Sequence, residues 1–424
     1  MWRALSILLI CLWPWAVGAT PLDEAEQAIL QGRAAAAIPM LERYSPQTRT
    51  EALRRLWMLG VANNRAGRAQ AAVEPLAKLV AQVPESAAFR LELAGALLRA
   101  GQSERARYHL EQVKGTDLPP AVQAQVQAQL DRMQKPKAWQ GYFRFALVPE
   151  SNAAHRTQAE VVNLGGLVFD LAPGARQQAA NGVELGFGLA ALPRLSDGLR
   201  ARFGVDVHAR IFDGRAPNDV TARASAGLLH FGDAGRQISA EVFASQRWLD
   251  DVLYSRGRGV GLSYGRVLGA RTRLTLGAQH ELLDYRSGAY GVNRSAASLQ
   301  LAYAASPQLM LRGALRAEHR TSSYTQAAGA AMGASIGGDY LFAGGLRLGL
   351  DLSYDHNAYD GRHPLFGVQR VDEKWAATVQ LTNQNWNYRG FAPVLKLGAE
   401  QQDSSIVLNS YRNLSASVGI TRAF

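Results

Sequence analysis

The sequence predicts a multidomain α + β protein, with an N-terminal α-helical repeat domain followed by a C-terminal antiparallel transmembrane β-barrel of about 14 strands. Three observations predict this fold class. An apolar leader opens the chain, a helical pattern recurs in the first third, and from Trp139 onward apolar and polar residues alternate. We therefore predict a leader over 1–19, a helical domain over 20–135 and a barrel over 136–424.

Composition and charge narrow the class of protein. Charged residues make up 19% of the 424 residues, Gly is frequent at 41 residues, and the net charge is +11. After the leader no apolar run reaches the ~20 residues that a membrane helix needs, whereas barrel strands alternate and need no such run. The Arg residues are scattered, without a basic run interleaved with aromatics. We therefore expect lipopolysaccharide or an acidic cargo as the anionic partner, and no nucleic acid.

The first 19 residues have the pattern of a secretory signal peptide. Arg3 supplies a positive charge, residues 4–17 are apolar, and the small or compact residues at 17–19 predict cleavage before Thr20. Cys11 is the only cysteine, and the residue before it is not small, which argues against a lipoprotein leader. The mature chain should therefore contain no disulfide, no thiolate metal ligand and no thiol nucleophile.

The helical repeat is read from small residues and turn glycines. Leu59-Gly60, Gly67, Ala72 and Leu76 recur 34 residues later as Leu93-Ala94, Gly101, Ala106 and Leu110, and a looser copy has Gly32 and Ala37. These offsets resemble the tetratricopeptide repeat, in which a Gly turns the chain and small residues let paired helices approach. A plain helical hairpin bundle is the alternative. Repeat arrays bind partners on a concave face, so the predicted cargo-binding residues are Asn63, Asn64 and Arg65, near the end of a first helix.

The boundary between the two domains is predicted at Lys135-Pro136-Lys137, because Pro disfavours continuation of a helix. Beyond it, residues of one strand divide into two faces. Leu199, Ala201, Phe203, Val205, Val207, Ala209 and Ile211 lie opposite Arg200, Arg202, Gly204, Asp206, His208 and Arg210. The apolar faces end in aromatics such as Trp248, Tyr254, Trp386 and Tyr411. Lipid outside, a wet lumen inside and aromatic belts at the interfaces account for this pattern better than a soluble sandwich.

Connection lengths give the barrel a direction. Short turns are predicted at 195–198, 233–236, 269–271, 343–345 and 388–390 and around Pro307, and longer loops at 213–219 and 361–370. Short periplasmic turns alternating with long extracellular loops are typical of outer-membrane barrels. An even strand number returns the C-terminus to the periplasm, where the helical domain is also expected. We assign 161–172 to the first extracellular loop, with an additional strand as the alternative.

The last strand carries a sorting pattern. Leu414, Ala416, Val418, Ile420 and Phe424 alternate on its apolar face. A terminal aromatic on an alternating strand resembles the signal that the outer-membrane insertion machinery reads, which makes that machinery an expected partner. Arg422 interrupts the apolar run, and we expect its guanidinium to reach the interface.

The predicted lumen is rich in charge. The candidate lumen-lining residues are Arg200, Arg202, Arg210, Arg312, Arg316, Arg347, Lys374 and Lys396, beside Glu184, Asp206, Glu318, Asp351 and Glu400. Mixed charges of this kind could engage an extended polypeptide in a conduit. They could equally form ion-pair ladders that fill the interior, and the sequence leaves both interpretations open.

The sequence holds no constellation that predicts catalysis. His356 and His363 flank a predicted loop without metal-ligand spacing, and Asp403-Ser404-Ser405 reads as a Ser- and Asp-rich loop. Gly pairs such as the one in "GGLVFD" lack the strand-to-helix context of a phosphate loop. We therefore expect no enzymatic activity, no catalytic residue, no metal site and no cofactor.

The start of the barrel reads "GYFRFALVPESNAAHRTQ", with Pro149, Ser151 and Asn152 directly after an apolar strand. Placed after a leader and a few helical repeats, and before a barrel that ends on Phe, this segment resembles the surface lipoprotein assembly modifier (Slam) family. The resemblance implies type XI secretion across the cell outer membrane, and we expect the protein to be a monomer. Its barrel would carry specific lipoproteins or soluble effectors to the surface. Its periplasmic repeats would contact cargo or chaperones.

Two other functions remain open at this stage. One is an exopolysaccharide-export porin with a helical-repeat periplasmic arm, although such arms usually carry many more repeats. The other is a passive porin, for which a helical domain would be superfluous.

Overall fold

The computed structural model describes residues 20–114, 116–133, 138–233, 235–269, 271–286, 288–342, 346–383, 386 and 391–423. Within them the chain forms seven helices and then a closed antiparallel barrel of 14 strands, which confirms the predicted fold class. The predicted leader, the boundary at 135–137, the turns at 343–345 and 388–390 and the terminal Phe424 lie outside the described residues.

The helical domain is a stack of consecutive helices. They are α1 (Pro21–Leu30), α2 (Ala34–Arg43), α3 (Arg49–Arg65), α4 (Ala69–Gln82), α5 (Ala87–Arg99), α6 (Ser103–Val113) and α7 (Pro120–Met133). Each packs on the next, while α3 also contacts α1 and α5, as in an array of helix pairs. None of the helices in the described part of the chain is long and apolar enough to cross a membrane.

The 34-residue spacing corresponds to a repeated geometry. Gly32, Gly67 and Gly101 end the first helix of successive pairs with φ of +79°, +76° and +74°, a conformation that favours Gly. Ala37, Ala72 and Ala106 follow at equal offsets in the second helices, and all three are 0% exposed. A small side chain is therefore required where the helices cross. The assignment of these pairs as tetratricopeptide repeats stays a prediction.

Gly60 lies where α3 crosses α4. A Cβ atom at this position would overlap Cγ and Cδ2 of Leu76, whose side chain is fully buried. We expect Gly60→Val to destabilise the helical domain by about 1–3 kcal/mol through overpacking. Gly67→Asn is the matched control, because that turn is open and Asn tolerates a positive φ. Protease protection of residues 20–133 in membranes should fall for the first variant alone.

A buried polar pair lies between α5 and α6. Arg90 is 0% exposed, its Nε donates to Pro84 O at 2.8 Å, and its Nη1 lies 3.4 Å from Nδ1 of His109. Burial lowers the pKa of the Arg90 guanidinium to about 10. Burial also lowers the pKa of His109 well below 6.5, and the positive charges of Arg90 and Arg105 add to this effect. His109 is therefore neutral in the folded domain.

This pair makes the helical domain sensitive to acid. Between the lowered folded pKa and the unfolded value of 6.5, the unfolded chain binds the proton and the folded domain does not. We expect the free energy of unfolding to fall by up to about 1.4 kcal/mol for each pH unit below 6.5. Protease protection followed from pH 7.5 down to pH 5.5 measures this effect. His109→Gln should flatten the profile, and an unchanged profile in that variant would contradict the assignment. His363→Gln in a barrel loop should leave the profile as it is.

The barrel strands are numbered β1 to β14. They are β1 (Trp139–Glu150), β2 (Ala180–Ala191), β3 (Leu199–Phe212), β4 (Asp219–Phe231), β5 (Gln237–Leu249), β6 (Val252–Leu268), β7 (Thr272–Tyr285), β8 (Tyr290–Ala304), β9 (Leu309–Thr321), β10 (Gly329–Leu341), β11 (Leu346–Arg362), β12 (Gln369–Asn383), β13 (Ala392–Ser404) and β14 (Tyr411–Ala423). Each pairs with its neighbours in sequence, and β1 pairs with β14 to close the wall.

The first extracellular loop carries its own small sheet. Residues Val161–Leu164 pair with Leu167–Asp170 and not with the wall, so the assignment of 161–172 to this loop is confirmed. A short strand, Arg194–Ser196, pairs with the beginning of β3 within the predicted turn at 195–198. The predicted loop at 361–370 is shorter than expected, because β11 extends to Arg362 and places His356 within a strand.

Two of the four aromatics expected on the lipid face lie in the lumen instead. Tyr411 is 8% exposed and stacks on His155, with ring centroids 4.6 Å apart. Tyr254 contacts the ring of Tyr285 and the guanidinium of Arg247, which itself pairs with Asp219. The prediction was wrong for these two residues. Aromatic rings line the extracellular mouth as well as the exterior.

The helical domain contacts the barrel end that carries the short turns. Asp117 Oδ1 lies 2.6 Å from Nη2 of Arg271, directly before β7. The Arg347 guanidinium lies 5.2 Å from the Tyr108 ring centroid. Both contacts are at the end where β1 begins. Short turns lie at the periplasmic end of outer-membrane barrels, so we assign this end as periplasmic and the mouth at the other end as extracellular.

Candidate functional site

The lumen wall is built from ion pairs that reach across strands. On one side, Arg202 Nη1 of β3 lies 3.1 Å from Glu241 Oε2 of β5, and Arg223 of β4 pairs with the other oxygen of the same carboxylate. Arg210 of β3 pairs with Glu150 of β1, whose side chain is nearly buried. The Glu241 carboxylate thus neutralises two guanidinium groups, and the Glu150 carboxylate pairs with Arg210 across β2.

The opposite side of the wall is similar. Arg312 of β9 pairs with Asp339 of β10 and, at 3.0 Å, with Asp351 of β11. Arg347 contributes a second guanidinium to Asp339 at 3.0 Å, and Arg316 lies 2.7 Å from Asp355. Each carboxylate receives an extended side chain across the width of one or two strands.

Glycine makes room for these bridges. Gly337 lies between Arg312 and Asp351 in the register, Gly333 between Arg316 and Asp355, and Gly227 between Arg202 and Glu241. A Cβ atom at Gly337 or Gly333 would overlap the carboxylate oxygen that takes part in the bridge. Arg-Gly-carboxylate rows therefore form because the middle residue has no side chain.

The remaining predicted lumen residues lie on the same face. Lys374 Nζ lies 2.7 Å from Glu400 Oε2, and Arg200 donates to the Leu192 carbonyl at 2.9 Å. Lys396 faces Ser417 in the register, and within the described residues it forms no ion pair. All eight candidates thus lie on the lumen side. A role in contacting cargo stays a prediction for each of them.

The predicted family motif lies where the barrel closes. Ser151 N donates to Leu414 O at 2.8 Å, and Leu414 N donates to Ser151 Oγ at 2.7 Å. Asn152 is 0% exposed, and its side-chain amide donates to the carbonyls of Arg412 and Arg156. Pro149 is in β1 itself. The motif fastens the first strand and first loop to the last strand.

Asn413 of β14 completes this fastening, which we term the clasp: Glu150, Ser151, Asn152 and Asn413. Asn413 is 4% exposed. Its Oδ1 accepts from Asn152 N at 2.9 Å and from Ser151 Oγ at 3.3 Å, while its Nδ2 donates to Glu150 Oε2 at 2.9 Å. One amide side chain thus satisfies three partners of β1 and the loop after it.

Below the clasp, the ladder between β1 and β14 is interrupted. Pairing is continuous from Tyr142 opposite Ala423 to Leu147 opposite Val418, and resumes only at Glu150 opposite Ser415. Pro149 has no N–H to donate at the interruption. No other neighbouring pair of barrel strands in the described chain has so short a continuous ladder.

The first extracellular loop bends into the mouth directly after the clasp. His155 takes φ +50°, stacks on Tyr411, and places Nε2 2.7 Å from Glu400 Oε1 inside the lumen. Gln177, at the returning end of the loop, donates to Ser151 O at 3.2 Å. The loop thus covers one side of the mouth and is tied to the wall at both ends.

The predicted groove residues of the helical domain form internal contacts. Asn63 and Asn64 are 6% and 8% exposed. Asn63 Nδ2 donates to Leu59 O, Asn64 Nδ2 to Glu92 Oε1, and Arg65 Nη1 to Ile29 O. Asn63 bonds within α3, whereas Asn64 and Arg65 join α3 to α5 and α1, so none of the three lies on an open groove. A cargo-binding role for them stays a prediction.

The weak catalytic candidates are occupied by structural hydrogen bonds. Ser404 Oγ donates to Asp372 Oδ1 at 2.6 Å and Ser405 Oγ to Gln369 O at 2.8 Å. His363 Nδ1 accepts from Leu365 N at 3.3 Å within its loop. Among the residues that the structure describes, no group of three His, Cys, Asp or Glu could hold a metal ion.

Sequence reasoning missed three residues that the structure makes central. They are Asn413 in the clasp, His155 in the mouth and Asp339 between two arginines. For Asp339 a signal existed, because it has the same parity as Gly333 and Gly337 on β10. For the other two the partner lies on a distant strand, and nothing local in the sequence marks it.

Comparison with known proteins identifies the family of the chain. The sequence model of the family described as surface lipoprotein assembly modifier matches residues 139–424, which is the whole barrel. Surface lipoprotein assembly modifier 1 of Neisseria meningitidis serogroup B is 25% identical over 240 residues, covering 56% of this chain and 48% of the relative. The chain thus spans about half the length of the curated relative it matches.

Solved outer-membrane channels also resemble the barrel. The channel DcaP of Acinetobacter baumannii is 9% identical, with a TM-score of 0.40 over 68% of this chain and 96% of its own. OmpT of Vibrio cholerae is 8% identical, with a TM-score of 0.40 over 68% of this chain and 98% of its own. Neither likeness bears on function.

Proposed function

Because the chain belongs to the surface lipoprotein assembly modifier family, we propose that it exports specific lipoproteins or soluble effector proteins to the cell surface. The barrel lies in the outer membrane, with the helical domain in the periplasm. In this proposal the lumen is the route for the polypeptide. The helical repeats engage the cargo or a periplasmic chaperone before entry, the protein works as a monomer, and it catalyses no covalent step.

The observation that carries the proposal is the family match over the full length of the barrel. The Neisseria relative is named for surface lipoprotein assembly. A lumen lined by paired charges suits an extended polypeptide. A charged side chain of the wall can exchange its ion-pair partner for a polar group of the passing chain at small net cost in free energy. The contacts of Asp117 and Tyr108 with the wall keep the helical domain beside the periplasmic entrance.

Comparative surface proteomics tests the proposal. The source bacterium is compared with a deletion strain and with that strain complemented by the full chain, using surface biotinylation and analysis of the medium. We expect deletion to remove one or a few specific proteins, and the full chain to restore them. A variant that keeps the leader but lacks residues 20–133 should reach the outer membrane and fail to restore export.

Other results would overturn the proposal. An unchanged surface and secreted proteome in the deletion strain would contradict a role in protein export. Loss of an exopolysaccharide with an unchanged proteome would support the polysaccharide porin instead. Full export by the variant without helices would contradict the role given to the helical domain.

A further inference from the structure

We propose that the closing seam between β1 and β14 contains a binding groove for fatty-acyl chains of a lipoprotein, through which those chains reach the outer leaflet. The groove is lined by Pro149, Glu150, Ser151, Leu414, Ser415 and Ala416. The inference rests on the proposed function, since it names the part of the cargo that the seam receives and the path by which that part leaves.

Acyl chains would meet ion-paired side chains on at least six of the fourteen strands of the lumen wall. Each buried methylene gains about 0.8 kcal/mol on leaving water, and the ion-paired rows on β3–β5 and β9–β11 offer no apolar surface. The lumen side of the seam is different. Ala146 and Val148 of β1 and Ser415, Ser417 and Gly419 of β14 are small or uncharged. These five residues form a narrow uncharged strip along the seam, with Glu184 of β2 beside Ala146 and Lys396 of β13 beside Ser417.

The wall is indented at the interruption of the ladder. A cavity of about 420 Å³ lies there. Pro149, Leu414 and Ala416 on its outer side belong to the lipid-facing register, whereas Glu150 and Ser415 belong to the lumen-facing register. The cavity is thus lined by residues of both registers, beside the part of the seam that lacks ladder pairs.

The position and polarity of the groove suit the end of a lipid anchor. It lies just below the clasp, near the extracellular ends of β1 and β14, where the outer leaflet meets the wall. Leu414 is 65% exposed toward lipid, while Asn181 and Arg215 form a polar rim. Apolar chains and a polar ester linkage would thus each meet a matching surface.

Photolabelling tests the groove without any cargo protein. The purified full chain in lipid nanodiscs is exposed to a synthetic triacylated lipopeptide with a diazirine in one acyl chain. Parallel samples receive a diazirine phospholipid or a diazirine lipid A. We expect the lipopeptide to label 149–151 and 414–416 several-fold more than the outward residues of β8 and β9, and the phospholipid to label both regions evenly.

A variant pair makes the readout specific. Ala416→Trp should fill the groove and abolish the enrichment, whereas Ala244→Trp, outward-facing on the distant strand β5, should preserve it. Lipopeptide labelling that follows the phospholipid distribution would overturn the proposal. Equal enrichment by lipid A would overturn it too, because the groove would then be a site for resident lipid.

A disulfide lock extends the test to cells. Leu147→Cys with Val418→Cys joins β1 to β14, and Leu299→Cys with Leu315→Cys joins β8 to β9 in the same outward register. Among the described residues no native cysteine competes. The cargo is a lipoprotein that the proteome comparison has identified. Only the seam lock should block its display on the surface, and reductant should restore that display. Display at the wild-type level would overturn the exit path. Failed export without any lock would instead overturn the proposed function.

Discussion

Asp339→Asn is expected to lower the stability of the barrel by roughly 3 kcal/mol. The Asp339 side chain is 5% exposed and faces two guanidinium groups, those of Arg312 and Arg347. An amide of the same shape keeps the volume but removes the negative charge. The Arg312 and Arg347 side chains, 38% and 28% exposed, would then repel each other, and hydrogen bonds to a charged acceptor would be lost. The midpoint of urea unfolding in detergent micelles measures the effect.

A neighbouring aspartate supplies the control for this result. Among the described residues Asp355 on β11 forms an ion pair with Arg316 only, and the two side chains are 21% and 53% exposed. An exposed pair of this kind contributes less than about 1 kcal/mol, so Asp355→Asn should shift the midpoint slightly. Equal shifts of the unfolding midpoint for the two variants would show that the burial of Asp339 does not increase the contribution of its ion pairs to stability.

The two faces of each strand could be predicted because the side-chain period of a strand is two. All eight basic candidates therefore lie on the predicted face. Their partners could not be predicted, because pairing depends on the register between strands that are far apart in sequence. Arg312 and Asp351 are joined across Gly337, and only the register of three strands places them in one row.

Tyr411 shows how the same rule could have been applied further. Leu414 and Ala416 are lipid-facing, so the odd-numbered Tyr411 belongs to the opposite face by parity. Its aromatic character suggested an interface belt, but the register places it beside Lys374 and His155 in the mouth. Parity is set by the backbone and outweighs residue type here.

The helical domain was predictable in its spacing but less so in its contacts. Gly67 and Ala72 repeat because turns and helix crossings recur at fixed offsets. Asn63 and Asn64 were expected on an open face, yet both are buried between helices. Which side of a helix end faces its neighbour depends on how successive pairs are stacked, and that is a tertiary property.

The clasp is the other place where one substitution should have a large effect. Asn413→Ala would leave Asn152 N, Ser151 Oγ and the nearly buried Glu150 carboxylate without their shared partner. Unsatisfied buried groups cost about 1–3 kcal/mol each, and the ladder just below offers little reserve because it is interrupted at Pro149. We therefore expect the seam to open at its extracellular end before the rest of the wall unfolds.

Two measurements separate this local opening from general destabilisation. Protease should cut the first extracellular loop of the Asn413→Ala protein at temperatures where the other loops stay intact, and cells should become sensitive to antibiotics that are normally too large to cross the outer membrane. Asn293→Ala is the control, since that asparagine is exposed on the outward face of β8 and its ladder is continuous. If both variants behave alike, the clasp does not hold the seam. A local effect would mean that the clasp, together with the backbone bond from Ser151 N to Leu414 O, holds the first and last strands at the mouth.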